Sequence, residues 1–134
     1  MTSQQLAYIA GLLDGDGSIM LQMQPNAKMR YLFRVRTIVV LYQDSRYKTT
    51  LDEIRDLVGI GYVYSRRDHI SEFRIEGFYR VQRFVKMVLP YLRFKKNQAT
   101  LILSALRLLR RKRYSLSDFI EVSKFSDQIA MTNY

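Results

Sequence analysis

Alternation dominates the first half of the chain. From Gly17 to Gln24, Ile19, Leu21 and Met23 fall on one side of an extended backbone, with Ser18, Met20, Gln22 and Gln24 on the other. Period two predicts a half-buried strand. A second run, about Tyr31 to Gln43, sets Phe33, Val35, Thr37, Val39 and Leu41 against Arg34, Arg36, Ile38, Val40 and Tyr42. Between the two, Pro25-Asn26-Ala27-Lys28-Met29-Arg30 reads as a turn or long hairpin loop. Two shorter strands, Tyr62 to Arg66 and His69 to Ile75, flank a turn at Arg67-Asp68.

Elsewhere the period is helical. Ser3 can cap a first helix reaching about Leu13, which the glycines then end. Asp44 to Val58 places Leu51, Ile54, Leu57 and Val58 at core spacing, and Gly59-Ile60-Gly61 stops it. Gly77 leads into a helix over Phe78–Val88, closed by Pro90. Two more follow, about Asn97 to Arg111 and Leu116 to Ile129, the last behind a Ser115-x-x-Asp118 capping box. The order αββαββ followed by helices predicts a single α+β domain over residues 1–134, with one mostly antiparallel sheet.

Composition narrows the partners. The 134 residues include 22 Lys+Arg against 12 Asp+Glu, a net charge of +10. Such an excess points to a polyanion, nucleic acid first and anionic membrane second. Hydrophobic content of 48% excludes a disordered basic tail. With no cysteine and one histidine, disulfides and Cys- or His-rich metal sites are out, and any metal would be a hard cation on oxygen ligands. No apolar run is long enough to span a membrane. The opening Met1-Thr2-Ser3-Gln4-Gln5 is not a signal peptide.

Two constellations carry chemistry. On the first helix Ala7, Gly11 and Gly15 stand four apart on one face. Such a stripe lets another backbone approach closely, whether this chain's own sheet or a second molecule. It ends in Asp14-Gly15-Asp16-Gly17, where two acids on different helix faces have different jobs. The second constellation is a sheet face: Gln22, Gln24, Asn26 and Lys28 share parity with Arg34, Arg36 and Tyr42, then with Tyr64, Arg66, Glu72 and Arg74. Long amide, guanidinium and phenol groups, with few acids among them, make bidentate contacts to base edges and to phosphates. Basic clusters at Arg93, Lys95 and Lys96, and at Arg107 with Arg110-Arg111-Lys112-Arg113, add generic phosphate attraction. His69 reads as an ordinary turn residue.

Ile9-Ala10-Gly11-Leu12-Leu13-Asp14-Gly15-Asp16-Gly17 resembles the signature of the LAGLIDADG homing endonucleases. The likeness continues through Gln43, Leu51-Asp52, Gly59-Ile60-Gly61-Tyr62-Val63, Pro90-Tyr91-Leu92, Lys95, Asn97-Gln98-Ala99 and Asp127-Gln128-Ile129-Ala130. One motif copy is present, similar to the single-motif homodimeric enzymes encoded in chloroplast group I introns. The resemblance implies an αββαββα fold with a saddle-shaped antiparallel sheet and a dimer seam at Ala7, Gly11 and Gly15. It implies a catalytic set of Asp16, Gln43 and Lys95, with Mg²⁺, or Mn²⁺ in its place, held by Asp16 and the Gly15 carbonyl. The expected activity is hydrolysis of both strands of a long pseudo-palindromic double-stranded DNA site. The alternative is a maturase that binds intron RNA. Residence would be in an organelle, chloroplast before mitochondrion, with no membrane partner. One departure stands out: where close relatives carry a basic residue four positions after the glutamine, this chain has Tyr47, between Arg46 and Lys48.

Overall fold

In the computed structural model, which describes residues 1–111 and 114–132, the chain opens on helix α1 (Ser3–Asp16). Thr2, rather than Ser3, caps it. Thr2 Oγ1 accepts the Gln5 N–H at 3.1 Å, and Gln5 Oε1 accepts the Thr2 N–H at 2.9 Å, a reciprocal box that satisfies two orphan donors. The helix also outruns the expected end at Leu13, because Gly11 and Gly15 continue it; the break comes at Gly17, whose N–H donates to the Leu13 carbonyl. A Cβ on Gly17 would stand 2.8 Å from Leu13 Cα and 2.9 Å from its carbonyl oxygen. Helix therefore passes into strand where no side chain fits.

Strands β1 (Gly17–Pro25), β2 (Phe33–Asp44), β3 (Tyr62–Ser65) and β4 (Ile70–Glu76) form one sheet in the order β1-β2-β4-β3, each neighbouring pair antiparallel. The β1–β2 loop is longer than the polar pattern indicates. The Asn26 N–H donates to the Leu32 carbonyl at 2.7 Å, and Leu32 takes a left-handed φ of 66°, so β2 starts at Phe33. Asp44, expected to open a helix, ends β2 instead. Its carboxylate accepts the Arg46 N–H at 2.9 Å and caps a 3₁₀ turn over Ser45–Tyr47, which delays α2 to Lys48–Val58.

After β4 come α3 (Phe78–Val88), a 3₁₀ turn over Leu89–Tyr91, α4 (Lys96–Leu109) and α5 (Leu116–Thr132). The predicted box before α5 is present: Ser115 N–H to Asp118 Oδ2 at 3.0 Å and Asp118 N–H to Ser115 Oγ at 3.1 Å. None of the helices among the described residues is long and apolar enough to cross a membrane.

The helices pack on one face of the sheet. Ile19, Leu21, Val39, Leu41, Phe73 and Ile75 project there and join Ile9, Leu13, Phe84, Ile102 and Leu106 in one buried cluster; each such side chain contributes about 1.5–3 kcal/mol on full burial. α5 lies along the edge strand β1, Ser126 Oγ donating to the Leu21 carbonyl at 2.8 Å. The other face is open. Even there Ile38 and Val40 are 1% and 0% exposed and form an apolar floor beneath longer polar neighbours, apart from the main core.

Candidate active site and nucleic-acid interface

The β1–β2 register builds the first site. Because Gly17 pairs with Leu41, Asp16 at the end of α1 lands beside the last residues of β2. Gln43 Nε2 reaches Asp16 Oδ2 at 3.5 Å. Asp16, Tyr42, Gln43, Asp44, Asp68, His69 and Ile70 line a shallow, open pocket. The neighbouring acid turns away: Asp14 Oδ2 accepts the Arg93 N–H at 2.8 Å and Oδ1 the Lys95 N–H at 3.0 Å, while Lys95 Nζ donates to the Asp14 carbonyl at 2.9 Å. Asp14 is a clamp, whereas Asp16 is exposed. The clamp holds the Lys95 ammonium two residues from Asp16.

Asp16 makes no ion pair with any described residue. The carbonyl of Gly15 lies in the last helical turn, where intrahelical donors run out. These are hard oxygen donors. Among the described residues no group of three His, Cys, Asp or Glu side chains could hold a metal ion. Two oxygen donors on one chain leave most of the shell of a hard divalent cation to water or phosphate oxygens.

Around Tyr47 the structure separates the two flanking cations. Arg46 grips Asp44, with Nε to Oδ1 at 3.2 Å and Nη2 to Oδ2 at 3.3 Å, and its guanidinium lies 5.7 Å from the Tyr47 ring centre. The Arg46 backbone N–H, then its side chain, hold the Asp44 carboxyl below its ordinary range. Lys48 points along α2 to Asp52, 3.7 Å away. Arg46 is therefore the cation tied to a wall of the Asp16 pocket.

His69 lies exposed in the β3–β4 turn, as expected, and also borders this pocket. It adopts φ 67°, its carbonyl accepts the Ser45 N–H at 2.8 Å, and it lines the pocket beside Asp16. Hairpin closure brings it there, and no local pattern signals that.

The small-residue stripe faces outward. Ala7, Gly11 and Gly15 are exposed, and a Cβ on either glycine would meet nothing within 4 Å. Packing of this stripe against the chain's own sheet is thereby excluded.

On the open face the predicted readers do come together. Gln22 pairs with Arg36, Gln24 with Arg34, Tyr42 and Tyr64 both with Glu72. Asn26 and Lys28 lie in the loop, where Asn26 Oδ1 accepts the Lys28 N–H at 3.0 Å. The expectation of a face with few acids needs correction. Glu76 Oε1 accepts from Arg36 Nη2 at 3.0 Å and from Arg74 Nη2 and Nε at 2.7 and 3.2 Å. Arg74 Nη1 also reaches Glu72 at 3.0 Å, and Arg66 bridges Glu72 at 3.9 Å and Asp68 at 2.6 Å. Burial opposes the Arg74 charge, but hydrogen bonds to Glu76 and Glu72 outweigh it and raise its pKa. The Arg74 hydrogen bond in turn lowers that of Glu76. The spacing Glu72-x-Arg74-x-Glu76 was a signal for this array. Arg34 and Lys28 make no ion pair with a described residue.

Of the basic clusters, Arg110 hydrogen-bonds Gln82 and lies over the Tyr79 ring, and Arg111 stands 3.5 Å from Asp118. Lys112 and Arg113 lie outside the described residues.

The family model for LAGLIDADG endonuclease matches residues 9–103. The chain is 32% identical over 128 residues to the DNA endonuclease I-CreI of Chlamydomonas reinhardtii, spanning 96% of this chain and 78% of the relative. It is 28% identical over 127 residues to I-CvuI of Chlorella vulgaris, spanning 95% and 78%. Among solved structures it is similar to I-CvuI bound to its target in the presence of 2 mM Ca, with a TM-score of 0.90 over 96% of this chain and 82% of that one. An archaeal intron-encoded homing endonuclease complexed with DNA, I-Vdi141I, shares the fold at 14% identity and a TM-score of 0.85. A motif helix ending in an exposed acid, a match over most of the length and a shared sheet lead to one conclusion: this chain belongs to the LAGLIDADG endonuclease family.

Proposed function

We propose that the chain is a site-specific homing DNA endonuclease that acts as a homodimer and hydrolyses both strands of a long pseudo-palindromic site. The observation that carries this reading is the convergence at one helix end of an exposed acid and an outward small-residue stripe. Two copies joined through Ala7, Gly11 and Gly15 would bring their Asp16 carboxylates together, one for each DNA strand.

Asp16 and the Gly15 carbonyl would hold a divalent cation, Mg²⁺ first and Mn²⁺ in its place. When bound, such a cation supplies a water of lowered pKa and stabilises the leaving oxygen. Gln43 orients the water through its amide. Lys95 places positive charge beside the phosphate, and Arg46 supplies the cation that Tyr47 lacks. Gln22, Gln24, Asn26, Lys28, Arg34, Arg36, Tyr42, Tyr64, Arg66, Glu72 and Arg74 meet the DNA, each subunit covering a half-site of about one helical turn. The algal names Chlamydomonas reinhardtii and Chlorella vulgaris among its relatives favour an organelle, the chloroplast before the mitochondrion.

The test is incubation with duplex DNA carrying the intronless form of the gene that hosts this reading frame. Staggered double-strand cleavage is expected in Mg²⁺ and none in EDTA. Absence of cleavage, together with tight binding to the intron RNA, would replace the endonuclease reading with the maturase one.

A further inference from the structure

We propose that Glu76 is a specificity-determining positioning residue, holding Arg36 and Arg74 as a linked pair of guanine readers. The inference rests on the DNA-binding reading above and deepens it.

Glu76 is the last residue of β4, paired with Ile38 of β2, so it stands between arginines carried by two strands. Its single atom Oε1 takes three N–H donors, one from Arg36 and two from Arg74. Glu72 takes a further donor from the other side of Arg74. A guanidinium has five N–H donors. Arg74 commits three and keeps one on each terminal nitrogen, the number that guanine O6 and N7 require. Arg36 commits one and keeps four. The arginine side chains are only 29% and 23% exposed, above the buried Ile38 and Val40 floor. Held on both flanks, Arg74 in particular has little freedom to swing toward a phosphate.

An acid on a surface that meets phosphates is unfavourable unless it does something for its neighbours. Glu76 does two things here: it cancels its own charge against two arginines, and it sets the direction of their remaining donors. A salt bridge that merely joined β2 to β4 would leave base preference untouched when its charge is removed. A positioning residue would not.

The experiment is selection from duplex DNA with randomised half-sites, using the full chain and its variants, with folding checked by circular dichroism. The wild type is expected to select guanine at two half-site positions. Arg36→Ala and Arg74→Ala should each erase one of them. Glu76→Gln, nearly the same shape without the charge, should lower the guanine preference at both by about tenfold and leave other positions unchanged. An unaltered profile for Glu76→Gln, or an equal loss at every position, overturns the proposal. A wild-type protein that enriches no sequence overturns the DNA-binding reading and this one with it. Should Glu76→Gln fail to fold, Glu76→Asp, which keeps the charge but draws it back by one methylene, is expected to lower the guanine preference at both positions, and an unaltered profile for it overturns the proposal.

Discussion

Asp14 and Lys95 hold each other twice: the Lys95 N–H donates to Asp14 Oδ1 at 3.0 Å, and Lys95 Nζ donates to the Asp14 carbonyl at 2.9 Å. This link joins the end of α1 to the start of α4. Asp14→Ala removes the acceptor for the N–H groups of both Arg93 and Lys95. Hydrogen bonds to charged groups contribute about 1.5–3 kcal/mol each; because solvent can reach Arg93, the expected loss is about 2 kcal/mol in urea denaturation. Cleavage should fall too, because the Lys95 backbone loses one of its two ties to α1.

Asp16→Asn should abolish cleavage while DNA binding, followed by gel shift, stays within roughly tenfold, about 1.4 kcal/mol. The exposed carboxylate makes no ion pair with a described residue, so stability should be unchanged. Equal losses of binding and cutting would make Asp16 a structural residue instead.

Gly11→Leu tests the seam. Within one chain a Cβ at this position meets open space, so the folded subunit should tolerate the larger side chain. Two α1 helices in close contact should not. The expected result is a folded monomer in analytical ultracentrifugation, and a dimer that persists at low micromolar concentration would refute the assignment.

Acid should loosen the open face in a defined direction. Arg74 holds the Glu76 carboxyl below its ordinary 4.5, so the folded chain keeps that proton off longer than the unfolded one. The stabilisation is therefore complete above about pH 4.5 and is lost as pH falls through the lowered value. Asp44, held below its ordinary 3.8 by Arg46, acts in the same direction in a lower window. Urea midpoints should fall from pH 4.5 downward, and Glu76→Gln should flatten the upper part of that decline.

Much of this was legible beforehand, for a physical reason. Period-two alternation has only two phases, so once Ile19 and Leu21 were assigned to the core, Gln22 and Arg36 had to share the open face; the register bears that out. Helix ends were less visible. Gly11 and Gly15 carry poor helix propensity, yet α1 continues through them to Asp16, with Asp14 in its last turn held by N–H groups 79 and 81 residues away. Local sequence contains no trace of that. The Asp44 turn was obscured similarly, since an acid before a helical pattern looks like a helix start. His69 reaches its place through the β3–β4 hairpin, and Glu76 lies one residue beyond the strand end that the pattern predicts at Ile75, although its parity matches Arg74.

The chain of contacts Arg36, Glu76, Arg74, Glu72, Arg66 and Asp68 alternates in sign and sums to zero. A neutral array releases few counterions from DNA, so it adds little to the ionic-strength dependence of binding. On the proposed reading that dependence would come from Arg34, Lys28 and the cations outside the array, whose phosphate contacts would position the duplex rather than read it. Grip and reading would then be carried by different residues. Exchanging members of the array for others of balanced charge should redirect the enzyme to new sites while its response to salt stays the same.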